Sequence, residues 1–521
     1  MITSLLGTSF IGYSRSSGNT AAGHGIQPGT GTVLEPTYLA ATATEVERAL
    51  ALASAAFPVY SKLSGKVRAG FLRAIATEIE SVVDDIVERG MLETALAEPR
   101  LRGETGRTVG QLRMFAGLIE EGSWVDARID RAQPDRQPIP KVDLRSMLRP
   151  LGPVAVFCAS NFPLAYSVAG GDTASALAAG CPVVVIAHSS HPGTAEIIAE
   201  AVIRAAHLTG MPEGVFSVLF GGGRTVGQTV VKHPAIQAVG FTGSRAGGTA
   251  LMESAAKRAQ PIPVYAEMSS VNPIVILPGA LTRGEEVLAE AFFASFTLGV
   301  GQFCTNPGLV FLPVGVGEKF LGKLKSLTEA SVAGTLLNAS ICEAFTASTA
   351  AITGVEGVET LARSVSVAGL NQALPVVFEV SIADFLKHET LQGEMFGPAS
   401  LIVRGTVAEI EAVIPMLEGQ LTASIHATQE ELAVNTSLVD ALQNRVGRLI
   451  FNGFPTGVEV CSSMVHGGPF PSTSDGRSTS VGTMAIFRFC RPVAWQSFPD
   501  SALPAELRDA NPLEIKRTET N

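Results

Sequence analysis

The feature that most constrains this chain is a rhythm that sets in at Leu151. Gly152–Ala159 is an apolar run of strand length, and Ser167–Ala179 is an alanine- and glycine-rich stretch of helical length. Pro182–Ile186, Phe216–Phe220, Ala238–Phe241 and Pro263–Ala266 repeat the short apolar run. Thr194–His207, Thr225–His233 and the segment from Ser244 to Ala259 fill the intervals with helical patterning, Ile197, Ile198, Ala201 and Val202 sharing one face. Apolar strands alternating with helices predict an α/β fold built on a doubly wound parallel sheet. Ligands of such sheets bind beyond the carboxyl ends of the strands. Polar or glycine-rich residues stand at each of those ends: Ala159-Ser160-Asn161, His188-Ser189, Gly221–Arg224, Thr242–Ser244 and Glu267.

With 521 residues the chain exceeds a single core, so two or three domains are expected. A net charge of −10 without a lysine/arginine block argues against a nucleic-acid surface. The six cysteines are scattered and form no CxxC pair, which excludes a disulfide framework and a zinc ribbon and suits a reducing, cytoplasmic setting. Met1–Gly7 lacks the pattern of a signal peptide, and the most apolar stretch, Val287–Phe303, is interrupted by Glu290 and falls short of a membrane span. Residues 1–35 read as an extended lead-in. Thr44 with Glu47 is a capping-box pattern opening a helix to about Ala56. Val67, Phe71, Ile75 and Ile79 place a second helix that ends near Gly90, and a third is expected over Gly110–Glu121. Arg128–Arg149, with alternating charges, Pro138 and Pro140, reads as a projecting ribbon that pairs with the extended segment Met484–Ser497. Further β-like runs stand at Pro273–Leu277, Leu309–Leu312, Val376–Val380, Leu401–Val403, Leu421–His426 and Leu449–Asn452.

One thiol stands out. Gly301-Gln302-Phe303-Cys304-Thr305-Asn306-Pro307-Gly308 sets Cys304 between glycines that let backbone approach a ligand. A thiol needs a nearby donor, base or positive charge to react, and without one it is a buried inert cysteine. Together with Asn161-Phe162-Pro163, Phe241-Thr242-Gly243-Ser244, Glu267 and Glu394-Met395-Phe396-Gly397-Pro398, this stretch makes the chain resemble the aldehyde dehydrogenases from about residue 30 to 500. The nearer resemblance is to an NADP-linked branch that includes α-ketoglutarate semialdehyde and fatty aldehyde dehydrogenases. Its marks are Gly170–Leu177, Glu267-Met268-Ser269-Ser270 and Asn452-Gly453-Phe454-Pro455-Thr456-Gly457-Val458.

The resemblance implies a Rossmann-type cofactor domain (1–127 and 151–267), an α/β catalytic domain (268–483) and a small β oligomerisation ribbon (128–150 and 484–500) in a homodimer or homotetramer. It implies Cys304 as nucleophile, Asn161 as oxyanion donor and Glu267 as general base, its pKa expected to be raised in a partly apolar pocket. Glu394 would hold the nicotinamide ribose, and Gly243 and Ser244 the diphosphate at a helix N-terminus. Arg224 matches the position that grips the adenosine 2′-phosphate, and Ser189 replaces a glutamate that would repel it, which together favour NADP while leaving NAD possible. Ile186 departs from the family's lysine at the end of its strand. His466 would lie near the active site, and Cys158 reads as a packing residue close to Asn161. The implied reaction is oxidation of an aldehyde, 2,5-dioxopentanoate foremost. The alternatives are a medium- or long-chain fatty aldehyde dehydrogenase and a cofactor-impaired homologue acting as a thiol esterase or binding protein.

Overall fold

Seven strands make the first sheet of the computed structural model, which describes residues 5–520. They are β1 (Phe10–Ile11), β2 (Ser14–Arg15), β3 (Val154–Phe157), β4 (Val183–Ile186), β5 (Phe216–Leu219), β6 (Ala238–Thr242) and β7 (Val264–Glu267), in the order β7-β6-β3-β4-β5-β1-β2. All pairings from β7 to β5 are parallel. Every residue of β3, β4 and β5 is buried, because helices cover both faces. Val154, Val156, Val183, Val185, Phe216 and Val218 face one core; Ala155, Phe157, Val184, Ile186 and Leu219 face the other. The chain runs outward through β3, β4 and β5, then returns to lay β6 and β7 on the opposite side of β3, which makes the β3/β6 boundary the topological switch point.

The second sheet contains β8 (Ile274–Ile276), β9 (Leu309–Pro313), β10 (Glu359–Arg363), β11 (Val376–Ser381), β12 (Ala399–Gly405), β13 (Gln420–His426) and β14 (Val446–Phe451). Its order is β10-β11-β12-β9-β8-β13-β14, parallel except at the β10 edge. The expected ribbon pairing is present: Leu144–Pro150 runs antiparallel to Cys490–Gln496.

Several elements differ from expectation. The lead-in contributes β1 and β2 and a separate hairpin, Ala21–Ile26 with Val33–Leu39; its glycines masked strand periodicity. The capping box is Thr42 with Glu45, not Thr44 with Glu47, and its helix runs to Tyr60. The helix expected to end near Gly90 breaks at Val82 into Gly65–Ser81 and Val83–Thr94. The third helix, here α1, spans Glu98–Glu121 and opens with Pro99 in its first turn. Thr483–Phe489 is a 3₁₀ helix rather than extended chain, because Arg488 forms a buried 2.7 Å ion pair with Asp172 that turns the backbone inward. Thr518–Thr520 adds a further strand beside Arg128–Asp130.

Candidate active site

Cys304 sits on a loop that three left-handed residues, Gly299, Val300 and Gly301, turn away from the helix Glu285–Thr297. A Cβ on Gly301 would lie 2.1 Å from the Gly397 carbonyl oxygen, so this loop and the Glu394–Pro398 segment meet backbone to backbone. Buried Asn272 holds the other side: its Nδ2 donates to the carbonyls of Cys304 at 2.8 Å and Asn306 at 2.9 Å. Its Oδ1 accepts from the hydroxyls of Ser270 and Thr422.

The Sγ of Cys304, the carboxylate of Glu267 and Nε2 of His466 lie within 4.8 Å of one another. Nε2 is 3.5 Å from Sγ and 2.9 Å from Glu267 Oε1, while the Ser480 hydroxyl donates to Oε2 at 2.8 Å. Glu267 ends β7, at the carboxyl edge of the first sheet. His466 and Ser480 arrive on the long segment after β14, locked together by a 2.8 Å bond from Ser480 N–H to the His466 carbonyl. Burial raises the Glu267 pKa, but the electrostatic attraction of His466 and the hydrogen bonds from His466 and Ser480 outweigh it and hold the carboxyl below its ordinary value. This corrects the expectation of a raised value: donors aimed at the carboxylate win over the apolar walls. The Cys304 thiol moves the other way. Burial and then the neighbouring Glu267 charge push it well above the ordinary thiol value, with Arg107 opposing. An ionised carboxylate therefore stands beside a protonated thiol.

Asn161 follows the end of β3 and donates one amide N–H to the Gln302 carbonyl at 3.0 Å, two residues before the thiol. That bond fixes the amide's orientation and leaves its second N–H for a ligand.

A cavity of about 430 Å³ opens beyond the carboxyl ends of β3, β4 and β5, lined by Phe157, Ile186, Ser189, Gly222, Gly223 and Phe241. Arg224 is exposed on the next residue and makes no ion pair among the described residues. His188, also on this wall, is driven down to about 3 by burial and by His191, so it brings no positive charge. Gly243 and Ser244 stand exposed at the start of the helix Arg245–Ala256, where Ser244 Oγ accepts from Gly247 N–H at 3.2 Å. Bare glycines at the cavity mouth, a helix N-terminus and an uncommitted guanidinium are the donor set a dinucleotide requires, so these residues fit one. The Glu394 carboxyl is pushed up to about 7 by burial, against hydrogen bonds from Ser269 and Ser270. Ile186 ends β4, buried against Phe157 and Leu219 in the core facing this cavity. Cys158 is buried and its thiol is pushed up to about 12, as suits an inert packing residue.

The sequence alone did not single out Ser480, Asn272, Tyr166 or Arg107. Ser480 is one hydroxyl in the run Ser478-Thr479-Ser480, and Arg107 is one of four arginines on α1; neither spacing nor type marks them.

The aldehyde dehydrogenase family model matches residues 15–479. The chain is 48% identical over 516 residues to α-ketoglutaric semialdehyde dehydrogenase 2 of Azospirillum brasilense, covering 98% of each protein. It is 44% identical over 517 residues to α-ketoglutaric semialdehyde dehydrogenase of Acinetobacter baylyi, covering 98% of this chain and 97% of that one. Its fold matches betaine aldehyde dehydrogenase of Staphylococcus aureus in complex with NAD⁺ at a TM-score of 0.81 and 19% identity, over 95% of each chain. It matches lactaldehyde dehydrogenase of Escherichia coli equally, with a TM-score of 0.81 and 21% identity over 94% of this chain and 98% of that one. The thiol, carboxylate and amide that meet between two parallel sheets are thus set in a familiar frame, and this chain belongs to the aldehyde dehydrogenase family.

Proposed function

We propose that the protein oxidises 2,5-dioxopentanoate (α-ketoglutaric semialdehyde) to 2-oxoglutarate with NADP as the preferred acceptor, using Cys304, Glu267 and Asn161. The convergence of Cys304 Sγ and the Glu267 carboxylate within 4.8 Å carries this reading, and likeness to two α-ketoglutaric semialdehyde dehydrogenases over nearly the whole chain supports the substrate.

Glu267 takes the thiol proton as Cys304 Sγ bonds to the aldehyde carbon, and the carbonyl oxygen becomes an oxyanion. The free N–H of Asn161 and the Cys304 backbone N–H receive that charge; one such donor lowers the barrier by about 2.7–4 kcal/mol. The dinucleotide, when bound, supplies the hydride acceptor. Loss of hydride from the thiohemiacetal carbon leaves a thioester on Cys304. Glu267, having released the thiol proton to solvent, deprotonates a water, which attacks the thioester. The tetrahedral adduct collapses, the C–S bond breaks, the sulfur takes the proton back from Glu267 and the acid departs. Ser480 and His466 act through Glu267 by holding its carboxylate ionised and aimed.

Gly243, Ser244 and Glu394 would hold the diphosphate and nicotinamide ribose. Arg224, with Ser189 in place of a carboxylate, favours a 2′-phosphate. The division into a cofactor domain (1–127 and 151–267), a catalytic domain (268–483) and an oligomerisation ribbon (128–150 and 484–500) accompanies this reading, as does a homodimer or homotetramer in the cytoplasm. Steady-state kinetics on 2,5-dioxopentanoate, succinic semialdehyde, hexanal and a fatty aldehyde with each dinucleotide test it. The highest kcat/KM is expected for 2,5-dioxopentanoate with NADP; a maximum on an aliphatic aldehyde would overturn the substrate. Ile186 at the lysine position favours one other reading, a cofactor-impaired homologue. Thiol-ester or ester hydrolysis without NADPH formation from any aldehyde would select it.

A further inference from the structure

The apolar cluster of Ala159, Phe162, Ala165, Tyr166, Phe303 and Val481 packs beside the Cys304 loop, to which Phe303 belongs. Phe162 stands edge-on to Tyr166 at 5.3 Å and to Phe303 at 5.5 Å, and the Tyr166 ring lies 6.0 Å from that of His466, which touches the thiol. A wall of this kind suits an aliphatic chain. Into it, however, α1 projects a guanidinium. Arg107 lies 5.6 Å over the Phe162 ring and 5.3 Å over the Tyr166 ring, and its Nη2 donates to the Tyr166 hydroxyl at 3.1 Å. Among the described residues it has no other hydrogen bond and no carboxylate within ion-pair distance, and its Nε is buried without a partner.

Two other arginines near this cluster have their terminal nitrogens engaged. Arg100, stacked over Phe162 and Phe303, pairs with Glu104 at 3.3 Å. Glu104 also accepts from the backbone N–H groups of Leu164 and Ala165, both at 2.9 Å. Arg448 gives its two terminal nitrogens to the carbonyls of Gly457 and Pro455, at 2.8 and 2.7 Å. Arg448 too lacks a carboxylate partner among the described residues and has a buried, unpaired Nε, but both its terminal nitrogens are taken by carbonyls. Arg107 has a hydrogen bond on one terminal nitrogen only among the described residues. A half-buried guanidinium against aromatic walls is destabilised unless something pairs with it. Arginine's planar fork matches a carboxylate.

We infer that Arg107, steadied by the Tyr166 hydroxyl, is the subsite for the carboxylate of an aldehyde acid, and that it selects semialdehydes of oxo acids over neutral aldehydes of equal length. The inference deepens the proposed function and rests on it only for the identity of the aldehyde acid. Tyr166 links the two groups: its hydroxyl accepts from Arg107, and its ring lies 6.0 Å from that of His466, whose Nε2 is 3.5 Å from the Cys304 sulfur.

The test compares wild type with Arg107→Met, Arg107→Lys and Tyr166→Phe, using 2,5-dioxopentanoate, succinic semialdehyde and pentanal at saturating dinucleotide. Arg107→Met is expected to lower the ratio of kcat/KM on 2,5-dioxopentanoate to that on pentanal by about tenfold to a hundredfold, the scale of one charged hydrogen-bond pair, with the loss falling mainly in KM. Arg107→Lys, keeping a point charge without the fork, is expected to recover part of that ratio, and Tyr166→Phe to lose part of it. An unchanged ratio in Arg107→Met, or an equal loss on the semialdehyde and on pentanal, would overturn the subsite. If wild type prefers succinic semialdehyde and Arg107→Met abolishes that preference, the named substrate fails and the carboxylate subsite stands. A wild type that prefers pentanal to both aldehyde acids would overturn both.

Discussion

At the scale of single residues, the chemistry turns on opposite displacements of two neighbouring groups. Glu267 is held below its ordinary range by His466 and Ser480. A depressed carboxyl contributes stability above its unfolded pKa and loses it as pH falls through the lower folded value. It is therefore already ionised at neutral pH, as the base must be. His466→Gln removes the larger of the opposing contributions and shifts the balance toward burial, so the acid limb of the pH–kcat profile is expected to move upward; an unmoved limb would show that His466 does not hold the Glu267 carboxyl down. Ile186 makes a second prediction. A lysine there adds a charged donor at the rim of the dinucleotide cavity, worth about 1.5–3 kcal/mol. Ile186→Lys is expected to tighten NADP binding roughly tenfold to a hundredfold in a fluorescence titration. The motif-bearing positions Cys304, Asn161 and Glu267 were legible in the sequence because each stands in a marked run. Ser480 and Arg107 were not, since their importance comes from what they face across the fold.

At the scale of elements, the parallel strands could be read from the sequence because burial on both faces demands unbroken apolar runs such as Val183–Ile186. Elements determined by long-range partners could not. Thr483–Phe489 carries aromatic residues compatible with a strand, and the Arg488–Asp172 pair across 316 positions gives it its turn. The two candidate capping boxes, Thr42/Glu45 and Thr44/Glu47, satisfy the same local rule. The fold selects Thr42, where Glu45 also accepts from the N–H groups of Ser17 and Gly18. The nucleophile loop shows the same dependence. Gly301 has φ +69° and a phantom Cβ 2.1 Å from the Gly397 carbonyl oxygen. Gly301→Ala combines left-handed strain of about 1–2 kcal/mol with a backbone clash that must push the Glu394–Pro398 segment away. Thermal denaturation is expected to fall, and iodoacetamide labelling of Cys304 to lose its protection by NADP, because Glu394 moves with that segment. Retention of both would mean that the loop does not need this contact.

At the scale of the whole molecule, the site is assembled from distant parts of the chain. Asn161 and Glu267 come from the first sheet, Cys304 from the loop before β9, and His466 and Ser480 from the segment after β14, whose Ser472 carbonyl also accepts from Met268 N–H at 2.8 Å beside β7. The position of the two sheets relative to each other is therefore a catalytic variable, and whatever stiffens the molecule protects the site. The ribbon is the exposed part best placed to do so. Cys490–Gln496 is the edge strand of its four-stranded sheet, with one row of backbone donors and acceptors unpaired by any described strand. An open edge of this kind favours pairing with another chain. Around it Ile139, Val142 and Phe498 are 67%, 42% and 50% exposed, apolar surface that association would remove from water. Light scattering coupled to gel filtration is expected to give a dimer or tetramer for wild type. Ile139→Glu combined with Val142→Lys, which leaves the ladder from Gln496↔Leu144 to Cys490↔Pro150 intact, is expected to shift it toward monomer and to lower the midpoint of thermal inactivation. A monomeric wild type at micromolar concentration, or a double variant with unchanged mass, would remove the ribbon from the assembly and return the alignment of the two sheets to contacts within one chain.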